Sequence, residues 1–336
     1  MSNNPVPIYQ QDFAEVLGQI QQTRQRVFAQ ANTALIDLYW YVGQTLSHKV
    51  AQAGWGKGVV TELARYIALA DPSVKGFSDK NLWRMKQFYE TYQGDEELAP
   101  LARQLPWTHN VIIFSRCKSP DERKFYLHQT IAEKLAKREL ERQIDAASFE
   151  RSTQTVKLSP AARVLHPAIS EVFKDHYVLE FLGLPELHSE NDLQRALVQH
   201  MKAFVLELGK DFLFVGEQYR LQVGNQDFYI DLLFYHRGLS ALVAFELKVG
   251  QFKPEHMGQL NFYLEALDRD VKKPHENPSI GVLLCKGIDD EVVEYALSRN
   301  LSPALVAQYQ LQLPDKQLMA AKLHELLARH PGVGDE

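Results

Sequence analysis

Apolar positions in the first 155 residues recur at helical spacing. Phe13, Leu17, Ile20, Val27, Phe28, Leu35, Leu38 and Val42 fall along one face of a long helix. The stretch GWGKG at 54–58 interrupts it, and a second helix is expected over about 59–70. Ser78 suits the N-cap of a third, which carries Leu82, Met85, Tyr89 and Tyr92. Pro106 and Pro120 open further short helices, and a charged one follows over about 137–147. Residues 11–155 thus read as an all-α domain. Residues 156–185, first polar and then broken by prolines at 160, 167 and 185, read as a connecting region. The texture then changes. A helix over about 191–208 precedes strand-like runs at 212–218, 228–235 and 241–249. A helix opening near Pro254, a strand at 280–285, a helix at 289–299, a strand at 304–309 and a helix at 315–329 complete the chain. The order α-β-β-β-α-β predicts a mixed sheet with flanking helices, an α/β domain over 186–330.

The chain has 336 residues, about two domains' worth, with 45% hydrophobic and 24% charged side chains. That composition excludes disordered, fibrous and membrane-embedded classes. No apolar run nears the roughly 20 residues needed to span a bilayer, and the N-terminal residues lack the basic and apolar regions of a signal peptide. Two distant cysteines, Cys117 and Cys285, imply no disulfide framework and fit a reducing cytoplasm. The net charge of −5 argues against a protein that coats nucleic acid electrostatically. The imbalance is uneven, however. Residues 1–155 carry 19 basic and 17 acidic side chains and the remainder 18 and 25, so local nucleic-acid contacts are expected in the first half.

The chemistry lies between Phe228 and Tyr263. Asp231, Glu246 and Lys248 interrupt two of the most apolar runs, FYIDLLFY and VAFELKV. Strand side chains alternate, so Glu246 and Lys248 share a face. A hairpin folded about the Gly238–Leu239 bond sets Asp231 opposite Glu246 on that face. Two adjacent carboxylates repel, and near a sheet core they also lose solvation. A hard divalent cation, Mg²⁺ or Mn²⁺, is a natural compensator, with Lys248 placed to meet a phosphate or orient water. On the next helix His256, Gln259 and Tyr263 share a face, and Gln259 is within reach of water, carboxylate or phosphate. The blander reading of Glu-x-Lys alone is a solvated cross-strand ion pair. The apolar setting and the facing Asp231 argue against it.

Asp231, a 14-residue gap and Glu246-Leu247-Lys248 resemble the PD-(D/E)XK nuclease signature. The wider string from Phe212 to Leu264, with NPSIGVLLC, is similar to the YhcG-like family, as are LYWYVGQ, WGKGVV, GFSDKNLWRMKQFY, LPWTHN and RELERQI in the first half. That family joins an uncharacterised helical N-terminal domain to a nuclease domain with a restriction-endonuclease-like core. The resemblance implies a cytoplasmic Mg²⁺- or Mn²⁺-dependent deoxyribonuclease, of use in foreign-DNA handling or in recombination and repair. It implies Asp231, Glu246 and the Leu247 carbonyl as metal ligands, Lys248 as the catalytic lysine and Gln259 as an accessory residue. Two departures stand out. Ile230 takes the place of the leading proline. Gln194 takes the place of an acidic residue on the first helix, leaving Glu190 as a substitute or the site with one metal instead of two. The rival reading is a non-catalytic DNA-binding or assembly protein on a nuclease scaffold, and nothing in the sequence separates DNA from RNA.

In the first half, residues 57–92 resemble a helix-turn-helix with a connection longer than the usual three or four residues. Lys80, Asn81, Arg84 and Gln87 lie along one face of its second helix, with Trp83 nearby, as candidates for phosphate or base contacts. Tyr263 is a further candidate contact. An ordinary amphipathic helix explains the same residues of that second helix equally well, and the long first helix suits homo-oligomerisation. GWGKG lacks phosphate-loop spacing, HELLARH lacks zinc-protease spacing, and His236 in the hairpin reads as a solvent-facing loop residue.

Overall fold

The computed structural model describes residues 10–52, 55–152, 156–315 and 319. The expected helix over 315–329 lies almost wholly outside them. The chain divides into two units between Ile144 and Asp145.

The first unit is helical: α1 (Gln10–Ala51), α2 (Lys57–Ala70), α3 (Asp79–Tyr92), α4 (Leu98–Gln104), α5 (Trp107–Arg116), α6 (Pro120–Glu133) and α7 (Lys137–Asp145). Ser78 caps α3 by accepting the Asn81 N–H, and Ser119 caps α6 ahead of Pro120. Ile36, Tyr39 and Leu46 on α1 pack with Leu82, Met85, Phe88 and Tyr92 on α3, all buried. Gly43 permits this closeness, because a Cβ there would lie 2.1 Å from the Met85 carbonyl oxygen. The apolar row that marked the helix in the sequence is a different one. Phe13, Leu17, Ile20, Val27, Phe28, Leu35 and Leu38 remain exposed, since the face that meets α3 runs through Ile36, Tyr39 and Leu46 instead.

The second unit holds α8 (Ser148–Ser152), β1 (Lys157–Leu158), α9 (Pro160–Leu165), α10 (Ile169–Val172), β2 (His176–Val178), α11 (Glu190–Gln199) and α12 (Met201–Leu208). Then come β3 (Phe212–Val223), β4 (Gln226–His236), β5 (Ala241–Gln251), α13 (His256–Ala266), β6 (Ile280–Gly287), α14 (Asp290–Ser298) and β7 (Ala304–Gln310). The sheet runs β1-β7-β6-β5-β4-β3, with β2 also paired to β7. β3, β4 and β5 form an antiparallel meander, while β5, β6 and β7 are parallel. This is the expected mixed α/β sheet after an all-α segment.

Two expectations change. Residues 156–185 are not merely a connection. β1 and β2 join the sheet, and Leu158, Ile169, Phe173, Tyr177 and Leu179 enter its core. A buried Arg151–Glu207 ion pair of 2.7 Å ties α8 to α12, and Glu207 also accepts the Val178 N–H at 3.0 Å. The helix expected over 191–208 is two, because His200 departs from helical geometry (φ −106°, ψ 28°). Each half then lays its own apolar residues, Leu193 and Leu197 or Phe204 and Leu208, on the sheet.

Both faces of the sheet are covered. Leu232, Phe234, Val243, Phe245 and Leu247 pack with α11 and α12. Ile230, Leu233, Leu242 and Ala244 pack with Tyr263, Leu264 and Leu267. A Cβ on Gly281 would fall 2.7 Å from Leu260 Cγ, so α13 sits flush on β6. Among the described residues no helix is long and apolar enough to cross a membrane.

Candidate active site

The β4–β5 register puts Leu232 opposite Phe245 and Leu233 opposite Ala244, as a fold about Gly238–Leu239 requires. The ladder stops there. One step beyond it stand Asp231 and Glu246, and each strand continues paired only to its outer neighbour, β3 or β6. In the opening, the Asp231 carboxylate does what a strand carbonyl would otherwise do: Oδ2 accepts the Leu247 N–H at 2.9 Å. Alternation from Leu242 and Ala244 places Glu246 and Lys248 on the face that α13 covers, while at Asp231 the alternation of β4 is broken, since both Ile230 and Leu233 pack on that face.

Glu246 is 3% exposed. Its Oε1 accepts from Lys248 Nζ at 2.9 Å, while Oε2 is buried without a hydrogen-bond partner. Burial, reinforced by the neighbouring Asp231 charge, pushes the Glu246 carboxyl up to about 7. Burial also raises Asp231, against the opposing pull of the Leu247 N–H and Lys248. Burial lowers Lys248, but the Glu246 charge and hydrogen bond together with Glu190 and Asp231 outweigh it, and the ammonium is held above its ordinary value. Lys248 also lies 3.5 Å from Glu190 Oε2 at the start of α11.

Whether these residues suit a divalent cation can be judged from their donors. Among the described residues no three His, Cys, Asp or Glu side chains converge as a complete metal cage. The arrangement is the leaner one that hard cations accept: two carboxylates and a backbone carbonyl, with waters or phosphate filling the remaining positions. The unpartnered Glu246 Oε2 beside the half-buried Asp231 carboxylate is the feature that a cation would relieve.

The N-terminal unit matches the DUF1016 N-terminal domain over residues 15–151, and residues 170–325 match the YhcG PDDEXK nuclease domain. The YhcG protein of Escherichia coli (strain K12) is 31% identical, over 94% of this chain and 93% of that one. The chain belongs to the YhcG family. Two solved structures overlap 39% of it, a repair endonuclease from Pyrococcus abyssi (14% identity, 50% of that chain) and an EndoMS-dsDNA2 complex (15%, 47%). Both have TM-scores of 0.26, too slight an overlap to bear on fold or function.

In this YhcG-family chain the fold gathers Asp231, Glu246, Leu247 and Lys248 at one point. Gln259 is close by on α13 but donates to the Tyr263 hydroxyl at 2.7 Å and to none of those four. Tyr263 is 4% exposed, with its ring among Ile230, Leu233 and Leu264. That corrects its expected place on a nucleic-acid surface, because the apolar face of α13 rotates the ring into the core. His236 is corrected too. It is 4% exposed, its Nδ1 accepts the Leu239 N–H at 3.0 Å, and it anchors the hairpin turn. In the N-terminal unit Asn81 is taken up by the fold: its amide donates to the Gly76 carbonyl and accepts the Trp107 indole N–H at 2.9 Å. Lys80 stays exposed and Arg84 half-buried on the same helix.

One residue escaped the sequence reading. Gln218 Nε2 lies 3.3 Å from Asp231 Oδ1 and 3.0 Å from Gln194 Oε1, and Gln194 Nε2 donates to the Asp231 backbone carbonyl at 3.0 Å. The signal was present. The two-residue Gly224-Asn225 turn pairs Val223 with Gln226, and counting back along that hairpin brings Gln218 opposite Asp231.

Proposed function

We propose that this chain is a divalent-metal-dependent nuclease that hydrolyses DNA phosphodiester bonds. The observation that carries the reading is a buried Glu246 with an unpartnered Oε2 beside half-buried Asp231 and Lys248, at a gap between strands in a PDDEXK domain. Asp231, Glu246 and the Leu247 carbonyl would hold Mg²⁺ or Mn²⁺, which when bound polarises the phosphate and makes water a competent nucleophile near neutral pH. Lys248 brings a cation to the phosphoryl oxygens, where negative charge grows during in-line attack. Glu246 and Glu190 flank its ammonium and keep it protonated. Gln259, exposed on α13 and held by the Tyr263 hydroxyl, offers its amide to an oriented water or a phosphate oxygen. In the N-terminal unit, Lys80 and Arg84 supply backbone contacts to DNA, and the exposed apolar side of α1 supplies a surface for self-association.

The test is cleavage of supercoiled plasmid and of labelled single-stranded, duplex and branched DNA, with no metal, Mg²⁺ or Mn²⁺, by wild type and Lys248→Ala. Metal-dependent cutting that Lys248→Ala abolishes supports the reading and identifies the substrate shape. Binding of DNA without cutting in any metal overturns it in favour of a non-catalytic scaffold.

A further inference from the structure

We propose that Gln218 is a positioning residue for the metal site, and that with Gln194 it forms an amide relay that fixes the Asp231 carboxylate from the edge strand β3. The inference rests on the metal-site reading above and extends it to residues outside the nuclease signature.

Three observations converge. First, the relay is fully determined by donor and acceptor chemistry. Gln194 Nε2 donates to the Asp231 carbonyl, so its Oε1 is left to accept. Gln218 has two N–H groups: one meets that Oε1 at 3.0 Å and the other points to Asp231 Oδ1 at 3.3 Å. Asp231 is thereby held at backbone and carboxylate together, while its Oδ2 is tied to the Leu247 N–H.

Second, the backbone gives up regular structure to place this amide. Glu217 pairs with Leu232 and Tyr219 with Ile230, yet the intervening pair, Gln218 with Asp231, is missing from the ladder. Gln218 there adopts φ +43°, a left-handed conformation inside a strand, three residues after the bulge at Val215. Left-handed backbone at a residue other than Gly, Asn or Asp is unfavourable, and such departures persist where the surrounding structure or function requires them.

Third, β4 and β5 have parted at this level, so no strand neighbour on the β5 side holds Asp231 in place by backbone pairing. The two glutamine side chains supply what the sheet no longer does. Side chains that orient metal ligands typically change metal affinity by about 10- to 100-fold when lost.

The test uses the full chain, with Mn²⁺ as the probe in isothermal titration calorimetry and urea unfolding of the metal-free protein alongside. Gln218→Ala removes the amide and keeps a Cβ in left-handed backbone. Gln218→Gly removes the amide and relieves that backbone. Both are expected to weaken Mn²⁺ about 10-fold or more, while Gln218→Gly unfolds at higher urea than Gln218→Ala. Gln194→Ala should weaken Mn²⁺ similarly, and the double variant Gln194→Ala/Gln218→Ala little further, because the two act as one unit. An equal loss of affinity in two variants of different stability separates positioning from a merely structural role. Wild-type Mn²⁺ affinity in Gln218→Gly, with binding lost in Asp231→Asn, overturns the relay and leaves the metal site standing. No Mn²⁺ uptake by wild type overturns both.

Discussion

Two regions of this molecule present polar residues on otherwise apolar elements, and they differ in what those residues do. On β4 and β5, Asp231, Glu246 and Lys248 are driven together where the strands part, and one carboxylate oxygen is left buried without a partner. On α3, Asn81 is consumed by Gly76 and Trp107, and Lys86 forms an ion pair with Glu90. A charge in a buried strand has no inexpensive structural role, so its presence points to chemistry. A polar residue on an amphipathic helix has several such roles, and the fold uses them.

The largest effect that would sharpen this contrast is on cleavage. Lys248→Ala is expected to lower the DNA-cleavage rate by about 10²- to 10³-fold with the far-UV spectrum unchanged; a drop below threefold breaks the assignment of Lys248. The next is a pH effect on stability. The folded state holds the Glu246 proton up to about 7 against an ordinary 4.5, so this group favours folding below pH 4.5 and loses that contribution as the pH rises through 7. Glu246→Gln fixes the neutral form. In EDTA at pH 8 the variant should exceed wild type by up to about 3 kcal/mol in urea melts, with the gap closing near pH 4.5.

A third outcome concerns how α13 is seated. Gly281→Ala pushes into Leu260 and is expected to cost about 1–3 kcal/mol of unfolding free energy. The smallest effects lie on α3. Asn81→Ala should cost about 1–2 kcal/mol by calorimetry through its lost hydrogen bonds. Lys80→Ala should shift stability by less than about 0.5 kcal/mol, and if α3 meets DNA it reduces the salt slope of binding by about one.

What could be read from the sequence follows the same physics. The hairpin register was legible because HRGLS fixes its centre and apolar alternation fixes its faces, so the ladder from His236–Ala241 to Leu232–Phe245 could be placed in advance, though not that it would end one step short of Asp231 and Glu246. The Ser78 cap and the buried row Leu82, Met85, Tyr89 and Tyr92 were legible from spacing. β1 and β2 were not, since strands of two and three residues are too short to show a period. The break at His200 has no glycine or proline to announce it. The row on α1 gave the helix and not its burial, because periodicity reports that a face is apolar and not what covers it. Gln218 was hidden for another reason: its role depends on left-handed backbone at an ordinary residue type.

The hydrogen bond from the Leu247 amide to Asp231 gives the site its own spectroscopic window. That proton sits in the middle of an interior strand of the sheet, yet a side chain and not a neighbouring strand keeps it from solvent. Its exchange lifetime and nitrogen shift should therefore follow the occupancy and charge of the site, while those of Ala244 and Phe245, three and two residues away, follow the sheet. An isotope-labelled sample would then record events at this centre one residue at a time, with no substrate and no turnover required.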